Sequence, residues 1–114
     1  MKLWIAIIVF LATFASTAQI NKDDISIVQF SAKFLTENEA SLSVFSEDYN
    51  VQTFYISEHK KLFDKEKIKY LPTLVLYYEG EQVLIITSDI SLKLPEDALE
   101  QIQEEINNIL KNRF

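Results

Sequence analysis

A chain of 114 residues has room for one domain, and its formal charge of −6 argues against nucleic acid and anionic membrane surfaces as partners. It contains no cysteine, which excludes thiol chemistry, thiolate metal ligands and disulfide staples together. Its core must hold by packing alone.

Residues 1–18, MKLWIAIIVFLATFASTA, have the layout of a secretory leader. Lys2 precedes a continuous apolar stretch from Leu3 to Leu11, and small residues follow. Ser16 and Ala18 suit the two small positions ahead of a cleavage site, with Gln19 as the new N-terminus. The apolar stretch falls short of the roughly 20 residues a spanning helix needs, which favours a cleaved leader over an anchor. No cysteine follows it, so lipid modification there is not available. The expectation is a signal peptide over 1–18 and one domain over 19–114, periplasmic or secreted.

Gln19–Asp24 is a polar lead. Ile25–Phe30 (ISIVQF) is a short β-branched run that suits a buried strand. Ser31–Asn38 reads as a loop. Thr36 stands three residues before Glu39 in capping-box spacing, and Thr36 or Asn38 can cap a helix over Glu39–Tyr49 with Leu42, Phe45 and Tyr49 on one face. Val51–Ile56 (VQTFYI) alternates as a second strand, and Ser57 is placed to cap a short charged helix over Glu58–Lys67 with Leu62 and Phe63 inward. Two further strands, Thr73–Tyr78 and Gln82–Thr87, flank the loop Glu79-Gly80-Glu81, which holds the single glycine of the chain. Pro95, Glu96 and Asp97 suit the first turn of a last helix. That helix carries Ala98, Leu99, Ile102, Ile106, Ile109 and Leu110 as an apolar stripe, with Lys111 and Arg113 in its closing turn. The order β-α-β-α-β-β-α implies an α/β domain, one four-stranded mixed sheet with helices on both faces.

Leu71-Pro72-Thr73-Leu74, followed by an apolar strand, an acidic-Gly turn and another apolar strand, resembles the second half of a thioredoxin domain. Val28-Gln29-Phe30-Ser31-Ala32-Lys33-Phe34 is similar to that family's strand and active-site approach, with Phe30 and Ala32 on the family's Phe and Ala and Phe34 on the aromatic residue before the redox motif. The resemblance covers about Ile25 to Leu110. It implies a thioredoxin-like fold, a cis bond before Pro72, and a Leu71 backbone left free to pair with an extended peptide. Pro72 as a plain strand opener is the alternative. The departures are equally plain. Leu35-Thr36-Glu37-Asn38 stands where the family has Cys-Gly-Pro-Cys, and Gln29 where many members have a buried acid. The stretch from Leu35 to Pro72 is shorter than in thioredoxin, and the family's extra N-terminal strand and helix are missing.

The implied function is therefore a non-catalytic module that binds peptide or partner protein through Phe34, Leu35, Thr36, Glu37, Asn38, Tyr70, Leu71, Pro72 and Thr73. No cofactor, metal ligand set or catalytic residue is expected. His59 beside Lys60 and Lys61 reads as a solvated side chain, Thr36 as a cap without a base, and Phe54, Tyr77 and Tyr78 as core. The acidic face of the last helix, Glu96, Asp97, Glu100, Glu104 and Glu105, reads as solvated. A structural subunit of a larger assembly, or an enzyme with non-thiol chemistry, are the alternatives.

Overall fold

In the computed structural model, which describes residues 24–113, the alternation along β1 (Ile25–Ser31) divides the interior into two layers. All seven residues are buried, because β1 lies between two neighbours with cover on both faces. Ile25 and Ile27 pack in one layer with Leu74, Leu76, Ile86 and the last helix; Val28 and Phe30 pack in the other with Phe54, Val75, Tyr77, Leu62 and Phe63. The proposed leader over 1–18 and its cleavage position lie outside the described residues.

The sheet order is β2-β1-β3-β4, with β2 at Asn50–Tyr55, β3 at Thr73–Tyr78 and β4 at Glu81–Thr87. β1 pairs parallel with β2 and antiparallel with β3, and β3 pairs antiparallel with β4. The mixed four-stranded sheet of the sequence reading is thus present. The hairpin turn is tighter than a three-residue loop: Tyr78 pairs with Glu81, and Glu79 (φ 53°) and Gly80 (φ 86°) form the turn between them. Positive φ at both central residues is the type I′ pattern, whose twist matches the flanking strands.

Two helices cover the sheet. α1 (Ile56–Lys65) supplies Leu62 and Phe63, whose ring meets Phe30 edge-on with centroids 5.0 Å apart. α2 (Ala98–Arg113) supplies Ala98, Ile102 and Ile106 to the opposite layer, as the apolar stripe predicts. Ser57 does not cap α1. The helix starts two residues earlier, at Ile56 behind Tyr55, and bends at His59 (φ −137°, ψ 41°). His59 is half-buried, and its ring stands edge-on to Phe54 with centroids 4.9 Å apart. Pro95 precedes α2 and accepts from the Ala98 N–H at 3.1 Å.

The helix expected over Glu39–Tyr49 does not form. Within that span stands a 3-10 turn, Ser43–Phe45, and the expected loop before it holds a longer 3-10 segment, Lys33–Asn38, inside which Thr36 lies with no capping hydrogen bond. Serine hydroxyls take over local backbone acceptors here. Ser46 Oγ donates to the Ser43 carbonyl at 2.8 Å, and Ser41 and Ser43 hydroxyls meet at 3.1 Å. Such contacts compete with a continuous helix ladder. Leu42 and Phe45 are nevertheless buried against the α2 layer, and Tyr49 packs beside them.

Candidate functional site

β1 ends, β3 begins and β4 ends at the same edge of the sheet, since Phe30 pairs with Thr73 and Thr73 with Thr87. Three connections therefore leave side by side: the first 3-10 segment, the Tyr70–Pro72 loop, and the Ser88–Lys93 loop. Hydrogen bonds stitch them together. Asn38 Nδ2 donates to the Leu92 carbonyl at 2.8 Å. Ser88 Oγ donates to the Leu71 carbonyl at 2.9 Å, and the Ser88 N–H to the Pro72 carbonyl at 3.2 Å.

Each loop carries at least one large apolar side chain into solvent, the Ser88–Lys93 loop both Ile90 and the less exposed Leu92. Phe34 is 80% exposed, Tyr70 57% and Ile90 100%. Ile90 is held out by a rigid turn, in which Asp89 Oδ1 accepts from the Ser91 N–H and hydroxyl and from the Lys93 N–H. The Ser91 hydroxyl, and then the Lys93 N–H, hold the Asp89 carboxyl below the usual carboxylate range. Beneath the first segment, Ser31 Oγ donates to Glu39 at 2.8 Å, and the same carboxylate raises the Tyr55 phenol above its ordinary value. A cleft of about 350 Å³ opens between this segment and α2, lined by Glu37, Asn38, Lys93, Leu94 and Glu96.

The nine candidate residues divide. Phe34, Thr36, Glu37 and Tyr70 are exposed, and Asn38 and Leu71 are half-buried. Leu35, Pro72 and Thr73 are buried and present no side chain to a partner; Thr73 Oγ1 turns back to the Tyr70 carbonyl. The Leu71–Pro72 bond is cis. The Leu71 carbonyl is not free, however, because Ser88 donates to it. Ile90 and the Ser88–Lys93 loop escape the sequence reading. Their only signal is an isleucine between polar residues in Ser88-Asp89-Ile90-Ser91.

No protein-family model and no curated protein matches the sequence. Among solved structures, it is similar to an N21Q mutant thioredoxin from Halobacterium salinarum at 26% identity, over 72% of this chain and 74% of that one, with a TM-score of 0.55. Oxidised thioredoxin from Plasmodium falciparum aligns at 21% identity over 83% of this chain and 90% of that one, with a TM-score of 0.58. The fold is thioredoxin-like. Thioredoxin O2 from Arabidopsis thaliana agrees, at 19% identity over 82% and 86% of the two chains and a TM-score of 0.57.

On this thioredoxin-like frame there is no sulfur with which to attack a disulfide. Gln29, at the position the resemblance gives to a buried acid, is 2% exposed and engaged on both sides of its amide. Its Oε1 accepts from the Ala40 N–H at 2.8 Å, and its Nε2 donates to the Ala40 carbonyl at 3.1 Å. An amide held this way clips the turn segment to the sheet and relays no proton. Among the described residues, no group of three or more metal-ligating side chains gathers.

Proposed function

We propose that this chain is a non-catalytic thioredoxin-like module, exported after loss of residues 1–18, that binds a peptide or partner protein at the loop end of its sheet. The supporting observation is the stitched set of three loops, whose most exposed apolar residues are Phe34, Tyr70 and Ile90. Exposed aromatic and aliphatic anchors on a rigid support lose little conformational freedom on contact, which suits them to binding. With Ser88 on the Leu71 carbonyl, contact through side chains carries more of this reading than backbone pairing at Leu71.

The test is capture of partners by tagged protein purified from the extracytoplasmic fraction, its intact mass placing the N-terminus at or near Gln19. Phe34→Ala, Tyr70→Ala and Ile90→Ala should each weaken capture while leaving the folded spectrum unchanged. Equal capture by the triple variant would overturn the reading. Finding Met1 retained in mature protein would overturn its exported form.

A further inference from the structure

β4 is the outer strand of the sheet, and nothing among the described residues pairs with its far side. Natural edge strands are usually blunted by a lysine, a proline or an inward charge. β4 has none of these over Val83–Thr87, and its one charged residue, Glu81, sits at the hairpin end. A bulge opposite Leu76/Tyr77 interrupts the pairing near that end, which leaves Leu84–Thr87 as the regular part of the edge. There Ile85 is 50% exposed, on the face it shares with its partner Val75 but outside the cluster that Leu62 and Phe63 of α1 form over β1, β2 and β3.

Beside Ile85 a groove of about 170 Å³ runs between β4 and the loop that follows α1, lined by Lys67, Ile68, Lys69, Tyr70, Ile85 and Thr87. Its floor is apolar and its rim is basic. Five of the eleven basic residues of this acidic chain fall between Lys60 and Lys69. The acid between Lys65 and Lys67, Glu66, does not line the groove, and its carboxylate accepts from the Tyr77 hydroxyl. Lys67 and Lys69 are both exposed, and no ion pair among the described residues holds either ammonium.

We propose that the free edge of β4 and the Lys67–Tyr70 loop together take an extended acidic segment of a partner protein as an added strand. The strand's backbone pairs with Leu84–Thr87. One apolar side chain enters the groove against Ile68 and Ile85. Residues two positions before and after it share that face of the strand, and as carboxylates they reach Lys67 and Lys69. The opposite charge on the rim selects acidic over basic segments, and Glu81 keeps the acids away from the hairpin end. This site borders the loop end and shares Tyr70 with it, but its pairing surface is β4, so it stands whether or not Phe34 and Ile90 bind.

The probe is the acetylated, amidated heptapeptide Thr-Glu-Thr-Ile-Thr-Glu-Thr, titrated into the labelled full domain and followed by amide chemical shifts. Shifts should concentrate at Leu84–Thr87 and Lys67–Tyr70. The version with both glutamates replaced by lysine should bind about tenfold more weakly, the effect of turning two exposed ion pairs into repulsions. Lys67→Glu/Lys69→Glu should reverse that preference, Ile85→Glu should abolish binding, and Phe34→Ala/Ile90→Ala should leave it unchanged. Equal binding of the two peptides, or shifts confined to the Phe34–Asn38 and Ser88–Lys93 loops, would overturn the proposal. So would concentration-dependent dimerisation removed by Ile85→Glu, because the edge would then belong to a second copy of the chain.

Discussion

Gln29 shows how much one side chain decides here. Buried under the first 3-10 segment, it answers the N–H and the carbonyl of Ala40 with the two halves of its amide. Leucine has similar volume but no polar atoms, so Gln29→Leu strands both backbone groups. An unmet buried donor or acceptor costs about 1–3 kcal/mol. Ala40 is half-buried and water relieves part of that, so a loss of about 1–3 kcal/mol in all is expected from denaturant titration, with faster hydrogen exchange at Ala40. Gln29→Glu gives a pH signature. A protonated carboxyl can still donate to the Ala40 carbonyl, whereas a carboxylate faces that oxygen with a buried like charge. The folded state then holds its proton more tightly than the unfolded chain does. Stability should stay near wild type below about pH 4.3 and fall as pH rises beyond it, the direction required when the folded pKa is the higher. A flat pH profile for Gln29→Glu would mean that the amide contributes nothing through Ala40.

Among the elements, those with one dominant signal were legible in the chain. β1 and β3 are continuous β-branched and aliphatic runs buried on both faces, and α2 has an unbroken helical stripe. The segment after β1 was not legible as structure, although Leu42, Phe45 and Tyr49 were legible as core. Helical spacing recorded which residues face inward, and Ser41, Ser43 and Ser46 then settled the backbone in favour of short 3-10 turns. The loop end was half legible: Phe34 and Tyr70 follow from the resemblance, but Ile90 depends on a turn built by Asp89, which no periodicity reports. The end of α1 offers the test at this scale. Lys67 sits at φ 60° and its N–H bonds to the Asp64 carbonyl at 3.2 Å, while the Ile68 N–H reaches the Phe63 carbonyl at 2.9 Å. That is a Schellman cap with lysine in the position glycine normally holds. The left-handed conformation costs a non-glycine residue about 1–2 kcal/mol, partly offset by the greater chain entropy of glycine. Lys67→Gly should therefore raise stability by about 0.5–1 kcal/mol, read as a higher urea midpoint at unchanged slope. An unchanged midpoint would mean that the cap is already relaxed.

At the scale of the whole molecule, the difference from a redox-active thioredoxin site goes deeper than two absent sulfurs. A reactive thiol needs its thiolate favoured at neutral pH, and a helix N-terminus is one common means of achieving that. Here the segment corresponding to the redox motif is a six-residue 3-10 turn, broken at Leu35 (φ −106°, ψ 15°), and no α-helix follows it before β2. Leu35 is also buried, an environment that raises a thiol pKa. Asn38 is committed to the Leu92 carbonyl and to holding two loops together. The sheet is thioredoxin-like, but it does not come with the electrostatic setting that thiol attack needs. Wild-type protein should reduce insulin no faster than a protein-free control, for want of any thiol. More tellingly, Leu35→Cys/Asn38→Cys should restore little. Its first thiol should titrate at or above the ordinary value of about 8.5, measured by the pH dependence of iodoacetamide alkylation, and insulin turnover should remain far below that of a thioredoxin assayed alongside. Turnover matching that thioredoxin would show that the frame carries the setting and that only the sulfurs are absent.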